Sequence, residues 1–277
     1  MIVWLHDALT PGDEASVSIH DRGFLYGDAV FETALLHDGG FFRLREHLDR
    51  FSASAATMRI DAPDSAEIGR IVREVVRANQ LRDANIRMTL TRGVRDPMLL
   101  VTAQPRDQAR IAAARAGWRI VTARTRRPST GAVPAHLKAV GRTYALLARH
   151  EAADAGVDDV LLLTDHGHVC EGPAWNIFWR RGTSLCTPAL ETGVLAGVTR
   201  TSLLQLAPHL GLRVQEELFD RSVLDHADEV FASMTSVGIA PIRELDGRRL
   251  PGETPTADAL HDAYLATVVR EAALDPL

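Results

Sequence analysis

Asp21-Arg22-Gly23-Phe24-Leu25-Tyr26-Gly27-Asp28-Ala29-Val30-Phe31-Glu32-Thr33 is the stretch on which the reading of this 277-residue chain turns. Residues 15–36 hold apolar stretches broken at Gly23 and Gly27, and Asp38-Gly39-Gly40 supplies a hairpin turn into residues 41–44. From Leu44 the apolar spacing becomes helical, through Leu48, Phe51, Ala55 and Met58. A second helix is expected from Asp64 or Ser65, either of which can cap it. Its apolar face is Ile68, Ile71, Val72, Val75 and Val76. Strands are expected at 85–92 and 98–103 around the turn-prone 93–97, then a short Ala/Arg helix and a strand at 118–122.

Residues 124–136, with two prolines, Ser129, Thr130 and Gly131, mark the expected domain boundary. The reading is an N-terminal α/β domain over 1–123, a linker over 124–136 and a second domain over 137–277. The basic cluster Arg124, Arg126 and Arg127 reads as part of a solvated linker. Beyond it, a helix over 142–155 stops at Gly156, and strands are expected at 160–164, 169–170, 176–180 and 184–187. A helix opens near Thr199 and ends before Gly211. Strands at 229–233 and 239–245, a turn at Asp246-Gly247 and a helix over 256–274 complete an α/β (α+β) pattern.

Composition narrows the function classes. With 46% hydrophobic and 24% charged residues the chain can bury a sizeable core. A net charge of −5 gives no reason to expect nucleic acid or an anionic membrane surface as partner. Cys170 and Cys186 make neither a disulfide framework nor a metal site, and His166-Gly167-His168 reads as a turn, so no metal is expected. No apolar run is long enough to span a bilayer, and the N-terminus lacks the layout of a signal peptide. A soluble, cytoplasmic protein is the expectation.

Lys138 is the one lysine among 31 basic residues. Arginine replaces lysine as a surface charge, but guanidinium keeps its proton and cannot attack a carbonyl. A drift toward arginine that spared one lysine by accident is the competing explanation. The apolar neighbours Leu137, Ala139 and Val140 suit a partly desolvated amine whose pKa falls toward neutrality. Downstream, Glu171 could keep a pyridine nitrogen protonated. Gly197-Val198-Thr199 opens a helix whose N–H groups could hold a phosphate, although threonine at a helix start is also an ordinary cap. Thr235-Ser236 follows a strand and could add donors. Arg50 could add countercharge, or be a plain surface arginine.

The quoted stretch, continued by His47-Leu48-Asp49-Arg50-Phe51, resembles the N-terminal signature of class IV aminotransferases, the fold-type IV pyridoxal phosphate enzymes. The resemblance runs on through Lys138, Val169-Cys170-Glu171-Gly172 with Asn176-Ile177-Phe178, Leu195-Ala196-Gly197-Val198-Thr199-Arg200, Ala227-Asp228-Glu229-Val230-Phe231 and Thr235. It implies two domains, a small N-terminal α/β domain and a larger C-terminal pseudo-barrel that binds the cofactor. Lys138 would carry pyridoxal 5′-phosphate as a Schiff base and move the proton between substrate Cα and cofactor. Glu171 would meet the pyridine nitrogen, and Arg50, Val198, Thr199, Thr235 and Ser236 the phosphate. Tyr144 would face the phenolic oxygen, one residue further from the lysine than in the branched-chain pattern. Tyr26, Phe31 and Arg87 match positions that line the substrate pocket of branched-chain enzymes, and Arg95 is a further pocket candidate. Arg87 alternates with Thr89 and Thr91 on one strand face, where a structural ion pair is an equal reading.

Within that family, Ala227–Phe231 with Thr235 resembles the branched-chain and D-amino-acid transaminases, whereas residues 176–182 resemble the strand of aminodeoxychorismate lyase. Thr91-Arg92-Gly93 is followed by Val94-Arg95-Asp96-Pro97, without the Arg-x-His of D-amino-acid enzymes. The expectation is a homodimeric transaminase acting on a branched-chain-like L-amino acid and a 2-oxo acid. The lyase, the D-amino-acid enzyme and a cofactor-binding protein without turnover are the alternatives.

Overall fold

The computed structural model describes all 277 residues, and the chain divides into two compact units. The first comprises residues 1–106, 137–141 and 267–277, the second residues 107–136 and 142–266.

In the first unit, β1 (Ile2–Leu5) and β2 (Ala8–Pro11) form a hairpin that the sequence reading did not anticipate. The signature stretch folds into a short helix, α1 (Arg22–Tyr26), and the long strand β3 (Ala29–His37). Asp21 caps α1 by accepting from the N–H groups of Gly23 and Phe24, and its other oxygen accepts from Thr91 Oγ1 at 2.7 Å. Gly27 ends the helix at φ 67°, and a Cβ there would lie 2.9 Å from Gly141 Cα, so two separate constraints select glycine. Asp28 then pairs with Arg92 and Arg22.

β4 (Gly40–Phe42), α2 (Leu44–Thr57), α3 (Ser65–Ala78), β5 (Ala84–Thr91) and β6 (Met98–Pro105) follow close to the expected bounds. The six strands form an antiparallel sheet in the order β2-β1-β6-β5-β3-β4. α2 packs over β3, and α3 over β1 and β6. Leu48, Phe51, Ile68, Val72, Val75 and Val76 are buried against Val30, Leu36, Ile86 and Val101.

The second unit begins with α4 (Gln108–Ala116) and β7 (Trp118–Thr122). α5 (Thr143–Ala155) ends at Gly156, and β8 (Asp159–Leu161), β9 (Asn176–Arg181), β10 (Ser184–Pro188), α6 (Val198–Leu206), β11 (Arg213–Glu217), β12 (Glu229–Met234), β13 (Gly238–Leu245) and β14 (Arg248–Arg249) follow. α7 (Pro255–Ala272) closes the chain, its last residues belonging to the first unit. The mixed sheet runs β11-β10-β9-β12-β13-β7-β8, with β14 on β13. Its core holds Trp175, Ile177, Trp179, Val230 and Ile242.

Three expectations need correction. The anticipated division over 124–136 is not where the units part. α4 and β7 belong to the second unit because β7 pairs in parallel with β13 and β8. Residues 137–141 belong to the first unit because Phe31 N–H donates to the Lys138 carbonyl and Val140 N–H to the Ala29 carbonyl. The expected strand at 169–170 is a single bridge between Leu163 and Val169. The third concerns Arg127, which is not solvated: it is 3% exposed.

Candidate functional site

In the first unit the candidate residues gather around the buried N-terminal end of β3. β4 covers one end of this strand, at residues 35–37, and the segment carrying Lys138 covers the same edge at residues 29–31. The backbone of Lys138 is held twice, by its carbonyl on Phe31 N–H at 3.0 Å and by its N–H on Ser54 Oγ at 3.2 Å. Its Nζ lies 4.9 Å from the centre of the Phe31 ring, which Arg87 also approaches, at 4.1 Å. Phe31, Arg87 and Lys138 are therefore brought together.

Beneath them lies Glu32, fully buried. Arg50 donates Nε to one of its oxygens and Nη2 to the other, each at 2.7 Å, and His47 Nδ1 stands 3.2 Å away. Burial works to raise the Glu32 carboxyl, but Arg50, His47 and Lys138 outweigh it and hold the group far below the usual carboxylate range. His47 is held below its ordinary value by burial, against the pull of Glu32, and is neutral at pH 7. Glu32 and His47 were not singled out from the sequence. The His47-Leu48-Asp49-Arg50 spacing, i and i+3 on α2, was the available signal.

Tyr26 and Arg95 have surroundings of their own. Tyr26 is 69% exposed on α1, its ring under Arg22. Arg95 lines a cavity of about 410 Å³ with His6, Ser18, Asp21 and Pro97.

In the second unit the centre is Glu171, buried beside the start of β9. Its Oε2 accepts from Leu195 N–H at 3.0 Å and from Asn176 Nδ2 at 3.3 Å. Its Oε1 accepts from Arg127 Nε at 3.2 Å. Arg127 also donates to the Gly193 carbonyl and lies over the Tyr144 ring at 5.0 Å. The segment expected to be a free linker is tied down by Glu151 of α5, whose carboxylate accepts from the N–H groups of Arg124 and Thr125. Its Pro/Ser/Gly composition gave no hint of this. Burial raises the Tyr144 hydroxyl above its ordinary value, so it remains a donor at neutral pH.

Val198 and Thr199 open α6, with Gly197 at the cap position and no side chain capping the end. The first N–H groups of a helix have no intrahelical acceptor and favour an anion. A Cβ at Gly197 would fall 2.2 Å from Asn176 Oδ1, so the close approach of α6 to Asn176 requires glycine. Thr199 is buried, with Tyr264 OH 3.5 Å from its hydroxyl. Thr235 and Ser236 form the turn between β12 and β13, half-buried. Ser236 lines a cavity of about 490 Å³ with Trp118, Trp175, Arg110 and Arg149.

These donors fit pyridoxal 5′-phosphate. A buried carboxylate with fixed oxygens suits a ring nitrogen, an uncapped helix N-terminus suits a phosphate, and a backbone-anchored lysine suits an aldehyde. No group of three or more His, Cys, Asp or Glu side chains is placed to hold a metal ion, and no helix is long and apolar enough to cross a membrane.

Comparison with known proteins agrees. The family model described as amino-transferase class IV matches residues 29–245. The chain is 36% identical over 259 residues to a Methanocaldococcus jannaschii protein carrying the provisional name of a branched-chain-amino-acid aminotransferase, covering 90% of this chain and 89% of that one. It is 30% identical over 285 residues to the D-alanine aminotransferase of Listeria innocua, covering 98% and 97%. The crystal structure of the Escherichia coli branched-chain amino acid aminotransferase superimposes with a TM-score of 0.92 at 28% identity, over 98% of this chain and 95% of that one. Other solved structures similar to this chain contain the cofactor in pyridoxal or pyridoxamine form.

Proposed function

Because the chain belongs to the class IV aminotransferases and is a pyridoxal-phosphate-dependent transaminase, we propose that it moves the amino group of a branched-chain-like L-amino acid to a 2-oxo acid, with Lys138 as the catalytic residue. When bound, the cofactor supplies an electron sink for the bonds at the substrate Cα. Lys138 would hold it by its amine and, once the substrate's amine has displaced it from that bond, would carry the proton between the substrate Cα and the cofactor. Glu171 meets the ring nitrogen, Tyr144 the phenolic oxygen, and Val198, Thr199, Thr235, Ser236 and Arg50 the phosphate. Phe31 and Arg87 receive the substrate, Phe31 by its ring and Arg87 by charge, with Tyr26 and Arg95 as further pocket residues.

The observation that carries this reading is the fixed position of the sole lysine, clamped to β3 with its amine over Phe31. The branched-chain preference draws on the Methanocaldococcus relative and on the missing histidine after Arg95. The Listeria similarity, over almost the whole chain, supports the D-amino-acid reading as the second choice. A homodimer is supported by Phe24, Leu25 and Tyr26, three exposed apolar residues in succession on α1. The buried free thiols of Cys170 and Cys186 are in keeping with a reducing, cytoplasmic setting.

The test is a donor screen with L-leucine, D-alanine and aminodeoxychorismate, following loss of the bound cofactor's visible absorbance. Conversion by L-leucine and not D-alanine supports the proposal. Conversion by D-alanine alone transfers the assignment to the second reading, and pyruvate release from aminodeoxychorismate without an amino acceptor overturns transamination.

A further inference from the structure

The structure assigns Arg127 a role that neither its sequence context nor the family comparison supplies: we propose that it is the positioning residue for Glu171, keeping that carboxylate ionised so that the proton stays on the cofactor's ring nitrogen. The inference rests on the proposed assignment of Glu171 to that nitrogen. Arg127 is as buried as the core, yet it lies in a Pro/Ser/Gly-rich segment with exposed Arg126 before it and exposed Ser129 and Thr130 soon after it. Its position is fixed from three directions. Its N–H donates to the Leu163 carbonyl at 2.9 Å, its Nη2 to the Gly193 carbonyl at 2.9 Å, and its guanidinium covers the Tyr144 ring. Only then does Nε reach Glu171 Oε1.

A buried arginine–glutamate pair is weak evidence for stability, since packed apolar residues of similar volume often serve as well. This pair is also imperfect as a stabilising device, because the buried Nη1 of Arg127 has no hydrogen-bond partner. Its chemical consequence is clearer. A carboxylate beside a pyridinium competes for the proton. A guanidinium on the carboxylate favours the ionised form and weakens that competition. The donors on Oε2, Asn176 and Leu195, are neutral and fix direction, whereas Arg127 contributes a hydrogen-bonded charge, to which the field of Arg142 adds. The electron sink depends on ring protonation, so Arg127 acts on catalysis through Glu171 without touching substrate.

The test loads the full-length protein with pyridoxal phosphate labelled with ¹⁵N in the ring and reads the nitrogen signal by NMR, alongside cofactor affinity. Wild-type protein and Arg127→Lys should show a protonated nitrogen. Arg127→Gln should shift the signal toward the neutral form and weaken cofactor binding about 10- to 100-fold, the scale of loss when the hydrogen-bond partner of a metal ligand is removed. A folded Arg127→Gln protein with wild-type signal and affinity overturns the proposal. Should that variant not fold, Arg127→Gln/Glu171→Gln decides, because neither partner is then left charged. Its signal and affinity should equal those of Glu171→Gln alone, and a further loss in the double variant overturns action through Glu171. A Glu171→Gln protein whose nitrogen signal matches wild type instead overturns the Glu171 assignment itself, so the two failures are distinguishable.

Discussion

Arg50 grips Glu32 with two hydrogen bonds of 2.7 Å inside a region from which water is excluded, and both oxygens of the carboxylate are engaged. The charge is sustained because Arg50, His47 and Lys138 together outweigh the cost of burial. This pair fixes the guanidinium that the proposed phosphate site uses, and it gives the protein an acid-sensitive core.

The sign of that sensitivity follows from both groups. Glu32 has a folded pKa below its ordinary 4.5, so its stabilisation is complete above that value and is lost as pH falls toward the folded pKa. His47 is depressed below its ordinary 6.5, so its contribution begins to fail earlier, as pH drops through 6.5. Chemical denaturation between pH 8 and pH 3 should therefore show a two-stage decline in unfolding free energy. His47→Gln should remove the upper stage and Glu32→Gln the lower. At neutral pH, Glu32→Gln should cost up to about 3–5 kcal/mol, because it takes the counter-charge from the half-buried Arg50.

Lys138→Arg should keep a positive charge near Phe31 and Glu32 and leave the melting temperature close to that of the wild type, since the side chain is only half-buried. Turnover should fall by at least about 10²- to 10⁴-fold, the loss expected from proton transfer alone. An active arginine variant, measured by steady-state transamination, would sink the central assignment.

Gly197→Ala places a methyl group against Asn176 Oδ1. Asn176 donates to both Glu171 and the Leu195 carbonyl, so the displacement reaches one candidate cofactor contact and the loop that leads into α6. Overpacking of this kind costs about 1–3 kcal/mol. Calorimetry should show the lower melting temperature, and cofactor titration should show weaker binding than in the wild type.

Arg87 is exposed and touches Phe31 through its guanidinium, so its removal should barely affect stability. If it meets the substrate carboxylate, Arg87→Gln loses a charge-assisted hydrogen bond of about 1.5–3 kcal/mol. KM for the amino acid should then rise about 10- to 150-fold, with a smaller change in kcat. Unchanged KM for donor and acceptor alike would assign Arg87 to structure instead.

Much of the site was legible in the chain because its chemistry depends on residue type. No arginine can do what an amine does, so Lys138 stands out by composition, and Glu171, Val198 and Thr199 follow from strand ends and a helix start. The strongly periodic helices α2 and α3 were legible for the same reason that they are stable: each buries one apolar stripe on the sheet. β11 was not, since Arg213–Glu217 is polar and largely exposed, and its extended form comes from pairing with β10. Nor was the β1–β2 hairpin, whose outer strand carries little apolar pattern of its own.

The sequence by itself therefore determined the family and the cofactor and singled out the sole lysine, because these rest on local pattern and on irreplaceable functional groups. Tertiary structure alone decided that residues 137–141 extend the edge of β3, that Glu32 anchors Arg50, and that Arg127 leaves its loop to pair with Glu171. Each of these joins residues far apart in the chain, and each is a buried charge or a backbone donor seeking its partner. A buried polar group must find such a partner wherever the fold provides one, and composition carries no record of where that is.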